Sequence, residues 1–172
     1  IFPVDIGIAT DSTLLQHKVM YGTKNMAKEP AMTREQAVQA LEVGIHMVEE
    51  LKEKGYGIIA TGEMGIGNTT TSSAVTAVLL EQDPAKVTGR GAGLSGTGLK
   101  KKISVIRDAI ALHKPKKEDP IDVLAKVGGL DIAGMAGVFL GGAACRIPVV
   151  ADGFISCVAA LCAIRICPAV KD

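Results

Sequence analysis

A short aliphatic run, a glycine-rich loop and a small-residue helix follow one another over residues 56–80. Residues 56–61 include two isoleucines and form a run too short for a helix, so they predict a buried strand. Residues 69–80 are apolar enough to predict a buried helix, for which Asn68 or Thr69 is the expected N-cap. A strand that enters a helix through a loop of glycines indicates an α/β fold, which limits the chain to a small set of layered architectures.

The same alternation continues along the chain. Thr33 and Gln36 match a capping box, in which each side chain satisfies a free backbone N–H of the other residue, and they predict a helix that ends at Gly55. A second glycine-rich loop, residues 89–98, leads into an amphipathic helix that Pro115 terminates. A second strand is predicted over residues 147–151, and further helices over residues 120–127, 132–144 (capped by Asp131) and 153–166. Together these segments predict an α/β layer with a parallel sheet.

The composition indicates a globular protein without a strong electrostatic field. Hydrophobic residues make up 48% and charged residues 22% of the 172 residues, which predicts a single domain or part of one. The formal net charge is +1, so we expect neither nucleic acid nor an anionic membrane as a partner. We see neither a secretory signal pattern nor the run of about 20 apolar residues that a membrane span needs, and we expect a cytoplasmic protein.

The four cysteines are expected to be buried free thiols. Cys145, Cys157, Cys162 and Cys167 stand among apolar neighbours, and no pair has the CxxC spacing of a zinc or redox site. The three histidines are scattered singly and lack the spacing of a metal-ligand set. We therefore expect no metal and no cofactor.

The loop at residues 62–70 is the first candidate binding site. Loop glycines let a backbone approach a ligand closely, and the free N–H groups of a helix N-terminus attract an anion. Gly65 and Gly67 have no Cβ, and Asn68 and Thr69 add hydrogen-bond donors. Glu63 adds a carboxylate at the end of the predicted strand. This combination exceeds what an ordinary strand-to-helix turn with a cap needs, although such a turn is the alternative interpretation.

The second loop carries a weaker signal. Gly91, Gly93 and Gly96 match the GxGxxG pattern of dinucleotide-binding proteins, but such a site needs an apolar strand before the loop. Residues 86–90 are a poor strand, so a nucleotide-dependent dehydrogenase is an alternative that rests on three glycines alone. Lys102 is expected near the first turn of the following helix, where its ammonium group would pair with a phosphate or, alternatively, face solvent.

Four motifs in the same order resemble those of the nicotinate-nucleotide:dimethylbenzimidazole phosphoribosyltransferases. Residues 62–70 read Gly-Glu-Met-Gly-Ile-Gly-Asn-Thr-Thr and resemble the family's Gly-Glu-x-Gly-x-x-Asn-Thr-Thr signature. Three further segments are similar to family motifs: residues 25–32 (Asn-Met-Ala-Lys-Glu-Pro-Ala-Met), 122–129 (Asp-Val-Leu-Ala-Lys-Val-Gly-Gly) and 148–154 (Pro-Val-Val-Ala-Asp-Gly-Phe). The resemblance spans nearly the whole chain and is far more specific than one glycine-rich loop.

The resemblance implies an enzyme of cobalamin lower-ligand synthesis. Such an enzyme transfers ribose 5-phosphate from nicotinate mononucleotide to dimethylbenzimidazole and gives α-ribazole 5′-phosphate and nicotinate, with inversion from the β to the α glycoside. No metal and no cofactor is implied. The resemblance also implies a homodimer and a Rossmann-like three-layer parallel sheet in the family's large domain.

Individual residues receive roles from the same resemblance. Glu63 would lie beside the ribose, where a carboxylate stabilises an oxocarbenium-like transition state. The first loop would cradle the nucleotide phosphate through backbone donors, and a lysine would add positive charge. The implied substrate-binding residues are Gly65, Ile66, Gly67, Asn68, Thr69, Gly91, Ala92 and Lys102.

The resemblance further predicts that residues 1–172 are one incomplete domain, the core of the large domain with its N- and C-terminal parts absent. In the family the general base on the benzimidazole is a glutamate in a Leu-Gly-Glu-Gly-Ser-Gly loop, which would lie beyond Asp172. The chain alone is therefore expected to bind nucleotide and to be inactive. Two alternatives stay open: a related transferase with another acceptor, such as a phenol, and a non-catalytic nucleotide-binding core.

Overall fold

The structure is a computed structural model that describes residues 1–171, so Asp172, the last residue of the predicted domain, lies outside the described residues. Residues 1–171 contain four short strands and seven helices. In chain order they are β1 (Val4–Asp5), β2 (Leu15–Gln16), α1 (Arg34–Glu53), β3 (Ile59–Thr61), α2 (Thr69–Leu79), α3 (Pro84–Val87), α4 (Gly96–His113), α5 (Pro120–Val127), α6 (Leu130–Cys145), β4 (Val149–Ala151) and α7 (Gly153–Ile166), followed by a 3₁₀ turn (Pro168–Lys171).

Local capping chemistry explains where several helices begin. The predicted capping box at the start of α1 is confirmed, because Thr33 Oγ1 accepts from the Gln36 N–H while Gln36 Oε1 accepts from the Thr33 N–H. The predicted helix over residues 120–127 is also confirmed, with Asp119 as its N-cap. The prediction that Asp131 caps α6 is wrong. Gly129 occupies the N-cap position, and Asp131 lies inside the first turn.

The strands form two parallel two-stranded sheets. β1 pairs with β2, and β3 pairs with β4 in a register that places Ile59 beside Val149 and Thr61 beside Ala151. The predicted α/β fold with parallel strands is confirmed. Both predicted strands are shorter than expected, because backbone pairing between them covers only three residues on each side. Within the described residues, sheets of two strands do not make the predicted three-layer sheet.

Helix α6 forms the centre of the core and contacts both α1 and α7. Its small residues allow the backbones of α6 and α1 to approach closely. A Cβ on Gly137 would collide with the Leu41 carbonyl, and a Cβ on Gly44 would collide with the Gly134 carbonyl. The small residues of α6 face mainly α1, while a Cβ on Gly142 would collide with Val149 of β4.

A buried ion pair anchors the N-terminal segment that contains β1 and β2. Asp5 is fully buried, and its Oδ2 lies 2.7 Å from Lys18 Nζ. Ser12 Oγ donates to Asp5 Oδ2 over 2.7 Å, and the Ile8 N–H donates to Oδ1 over 2.9 Å. Burial pushes the pKa of Asp5 upward, but these hydrogen bonds and the Lys18 charge outweigh it and hold that pKa well below its usual range.

The cysteines differ in their surroundings. All four are free, but only Cys162 is buried, whereas Cys145 is half-buried and Cys157 and Cys167 are exposed. The prediction of burial is therefore wrong for the two exposed thiols, because Cys157 lies on the outer face of α7 and Cys167 follows the end of that helix. None of the helices described within residues 1–171 is both long and apolar enough to cross a bilayer.

Candidate functional site

The first glycine-rich loop connects the end of β3 to the start of α2. Gly65 and Gly67 adopt φ values of 76° and 84°, a left-handed conformation that glycine enters without steric cost. A Cβ at either position would meet no atom within 4 Å, so the backbone conformation selects glycine here. The predicted layout of strand, glycine-rich loop and helix is therefore present, with Asn68 in the N-cap position.

Lys102 joins the two glycine-rich loops. Its Nζ donates to Thr69 Oγ1, in the first turn of α2, over 2.8 Å and to the Gly89 carbonyl over 3.1 Å. Only 7% of Lys102 is exposed, so the alternative of a solvated surface lysine is wrong. Burial lowers the pKa of Lys102. Because α4 begins at Gly96, Lys102 lies in the second turn of that helix and not near the first, as the sequence suggested.

The second loop reaches the start of α2 at Gly91. This residue has a φ of 58°, and a Cβ on it would lie 2.8 Å from Thr69 Oγ1 and 3.7 Å from Lys102 Nζ. Helix α3, and not a strand, precedes the loop, so the GxGxxG pattern lacks the context of a dinucleotide site. The dehydrogenase interpretation is therefore wrong.

A cavity of about 380 Å³ lies between the two loops and the start of α7. Ser73 Oγ donates to the Val87 carbonyl over 3.1 Å and so holds one wall together. The ring of Phe154, in the first turn of α7, is 45% exposed and forms another wall. The sequence did not single out Phe154 as a site residue. The residues that line the cavity are Thr69, Ser73, Val87, Gly89, Gly91 and Phe154.

Another groove, of about 480 Å³, lies at the opposite end of α2 between α4 and the segment before α5. Arg107 pairs with Asp83 beside this groove, and Lys117 pairs with Glu81. None of the predicted site residues lines it. The smaller cavity is therefore the candidate site, because two of the predicted site residues, Thr69 and Gly91, line it.

Glu63 lies on the open side of the first loop. Its side chain is exposed, and its carboxylate accepts a hydrogen bond from the Gly65 N–H. Because β3 and β4 are parallel and end at paired residues, the loops that follow them begin at the same edge of the sheet. Asp152 is the first residue after β4, and Gly62 is the first residue after β3. Asp152 was not predicted as a site residue, although a carboxylate directly after a predicted strand is a signal that the sequence contains.

The predicted site residues thus divide into two groups. Thr69 and Gly91 line the cavity, and Lys102 donates a hydrogen bond to Thr69 Oγ1 beside it. The remaining members do not line the cavity and form its surroundings: Glu63, Gly65, Ile66, Gly67 and Asn68 belong to the first loop, and Ala92 is exposed in the turn of the second loop. Among the residues that the structure describes, no three His, Cys, Asp or Glu side chains come together in a way that could hold a metal ion.

Comparisons with known proteins identify the family of this chain. A family model described as Phosphoribosyltransferase matches residues 1–172. The nicotinate-nucleotide–dimethylbenzimidazole phosphoribosyltransferase of Acetivibrio thermocellus is 57% identical in an alignment of 172 positions, which covers 98% of this chain and 49% of the relative. The enzyme of the same name from Clostridium tetani is 55% identical and is matched over 48% of its length.

A solved structure shares the fold. The crystal structure of CobT from Thermus thermophilus superposes with a TM-score of 0.92 at 38% identity, over 98% of this chain and 51% of that one. The chain spans about half the length of the relatives that it matches. Because a family model covers all 172 residues and the identity to named relatives exceeds half, the chain belongs to the nicotinate-nucleotide:dimethylbenzimidazole phosphoribosyltransferase family.

Proposed function

We propose that this chain forms the nucleotide-binding part of an enzyme that transfers ribose 5-phosphate from nicotinate mononucleotide to dimethylbenzimidazole. The products are α-ribazole 5′-phosphate and nicotinate. The observation that carries the proposal is the position of Lys102, whose ammonium group bridges both glycine-rich loops beside the N-terminus of α2. The names of the relatives supply the substrates, and the site supplies the chemistry that a phosphate requires.

Three features of the site favour a phosphate. The first turn of α2 has backbone N–H groups without partners inside the helix, and the helix dipole adds partial positive charge there. Asn68 makes no side-chain cap, so its side chain does not compete for these donors. Lys102 adds a full positive charge that burial leaves only partly solvated, which strengthens its attraction to an anion. In our proposal Gly65, Ile66 and Gly67 complete the cradle through their backbone.

The loops after β3 and β4 carry carboxylates at the same edge of the sheet, which supports our proposal that the ribose binds there. Glu63 follows β3 and Asp152 follows β4. When nicotinate leaves, positive charge develops on the ribose ring, and a fixed carboxylate nearby stabilises that charge. We propose that Glu63 has this role. Ala92, next to Gly91 in the second loop, would approach the nucleotide from the other side.

Transfer also needs a general base within hydrogen-bond reach of the acceptor nitrogen, and such a base typically contributes about 10²–10⁴-fold to the rate. We propose that a segment outside residues 1–172 supplies it, as the family's Leu-Gly-Glu-Gly-Ser-Gly loop would. We propose likewise that β3 and β4 belong to a larger Rossmann-like, three-layer parallel sheet of the family's large domain. A homodimer in the cytoplasm is part of the same proposal.

The proposal is tested with the purified 172-residue chain and nicotinate mononucleotide in a calorimetric titration. We expect weak binding that ribose 5-phosphate competes with and nicotinate does not, because the phosphate supplies most of the contacts. Nicotinate release in the presence of dimethylbenzimidazole should stay near the uncatalysed rate. Absence of any binding by either phosphate ester would overturn the proposed site, and benzimidazole-dependent release would show that the base lies within these residues.

A further inference from the structure

Asn68 and Asp131 join the starts of two helices. Asn68 ends the first glycine-rich loop in the N-cap position of α2, and Asp131 lies in the first turn of α6. Asn68 Nδ2 donates a hydrogen bond to Asp131 Oδ2 over 2.6 Å. Only 8% of Asn68 is exposed, so this contact holds a buried side chain at the base of the candidate phosphate loop.

The other end of the Asn68 amide lacks a partner. Its Oδ1 is buried and accepts no hydrogen bond from any residue that the structure describes. An ionised carboxylate only accepts hydrogen bonds, so Asp131 in its charged form cannot satisfy this oxygen. A protonated carboxyl has an O–H donor, and an amide facing a carboxylic acid can form two hydrogen bonds, one in each direction.

The groups that face Asp131 also oppose a negative charge there. Burial is the largest influence and raises its pKa, and the carboxylate of Glu63 in the β3–α2 loop raises it further. The hydrogen bond from Asn68 acts in the opposite direction and does not outweigh burial. A second anion at the start of α2 would add further repulsion.

We propose that Asp131 is a positioning residue that holds a proton whenever an anion occupies the loop before α2, and that it then forms an amide–carboxylic acid pair with Asn68. The proton comes from solvent. A molecule in which Asp131 is ionised before binding therefore takes up one proton for each anion that it binds. This inference rests on the proposed phosphate site. Its consequence is that the loop keeps Asn68 fixed without placing a half-buried negative charge beside the bound phosphate.

The test uses inorganic sulfate as the probe, because sulfate stays doubly charged from about pH 5 to about pH 8 and protons taken up then belong to the protein. We expect the affinity of the wild-type chain for sulfate to fall with rising pH, by up to about tenfold per pH unit above the pKa of Asp131. Asp131→Asn carries a neutral group that can both donate and accept. It should retain the affinity that the wild type shows at low pH and lose this part of the pH dependence.

Two controls separate Asp131 from other titrating groups. Glu63→Gln removes the neighbouring carboxylate, and the sulfate affinity of this variant should still depend on pH. Adding Asp131→Asn to Glu63→Gln should abolish that dependence. The carboxyl ¹³C shift of Asp131, followed by NMR in the wild type with and without sulfate, should report protonation at higher pH when sulfate is present. This measurement needs no variant and so does not depend on whether Asp131→Asn folds.

The outcomes distinguish this inference from the function on which it rests. Binding of sulfate and nicotinate mononucleotide with the same pH dependence in wild type and Asp131→Asn overturns the proposed pair and leaves the phosphate site standing. An Asp131 shift that sulfate does not change also overturns the pair. Absence of binding by both probes at every pH overturns the phosphate site and, with it, this inference.

Discussion

Lys102 Nζ donates a hydrogen bond to Thr69 Oγ1 over 2.8 Å, which ties the second turn of α4 to the first turn of α2. Because this ammonium group is buried beside the proposed phosphate position, we expect Lys102→Met to weaken nicotinate mononucleotide binding by about 1–3 kcal/mol, the range for a charge-assisted hydrogen bond. Lys101→Met is the matched control, since Lys101 is exposed one position earlier on the same helix.

Calorimetric titration of both variants checks this prediction. The Lys101 variant should bind like the wild type, and added salt should reduce the difference between the two variants because ions screen the lost attraction. Equal losses in the two variants would mean that general positive charge, and not the position of Lys102, attracts the nucleotide.

The close contact between α1 and α6 depends on glycines. A Cβ on Gly137 would collide with the backbone carbonyl of Leu41, and neither helix can move without opening the core. We expect Gly137→Ala to lower the free energy of unfolding by about 2–3 kcal/mol, as overpacking in a core does. This exceeds the gain of up to about 1 kcal/mol that alanine normally brings to a helix interior.

Gly96→Ala is the control for that measurement. Gly96 also lies in a helix, but a Cβ there meets no atom within 4 Å. Urea unfolding of this variant should give a stability equal to or slightly above that of the wild type. A stable Gly137→Ala protein would show that α1 and α6 are farther apart than this contact implies.

The sequence predicts the features that depend on contacts between residues close together in the chain. The capping box of Thr33 and Gln36 spans four residues, and its hydrogen bonds form within one turn, so the start of α1 could be predicted from local chemistry. The Asp119 cap of α5 is of the same kind. The glycine-rich loop could also be placed between strand and helix, because the change from an aliphatic run to a small-residue helix is itself local.

The strand lengths and the partner of Asp131 depend on contacts between residues far apart in the sequence. The length of β3 depends on its pairing with β4, about ninety positions farther along, and hydrophobic runs alone do not show where that pairing stops. The hydrogen bond between Asn68 and Asp131 spans 63 positions and depends on how α2 and α6 pack. Residue types suggested a local cap for Asp131, and tertiary packing gave it a partner at the candidate site instead.

The cysteines should differ sharply in reactivity. Burial raises the pKa of the Cys162 thiol to about 12, so almost no reactive thiolate exists there at about pH 8. Cys157 and Cys167 are exposed on and just after the same helix. With a coloured disulfide reagent in excess, we expect two thiols to react rapidly and Cys162 to react only after unfolding in denaturant.

Serine variants identify the reacting groups in that assay. Cys157→Ser and Cys167→Ser should each reduce the number of rapidly reacting thiols by one. Cys162→Ser should leave that number unchanged and reduce only the number of thiols that react after denaturant is added. Rapid loss of the Cys162 thiol in the native protein would contradict its burial in α7.

The ion pair between Asp5 and Lys18 should control acid stability. The pKa of Asp5 lies below its unfolded value of about 3.9, so its ionised form stabilises the fold above that pH, and this stability is lost as the pH falls toward the lower folded value. Lys18→Met keeps the aliphatic stem and removes the charge, which leaves a buried carboxylate with fewer partners. We expect the melting temperature to fall at about pH 7 and the difference from wild type to shrink as the pH drops below about 4.

Lys24→Met is the control, because Lys24 and its partner Glu29 are more than half exposed and exposed pairs contribute little. If both variants melt together at every pH, the Asp5 contact does not stabilise the N-terminal segment.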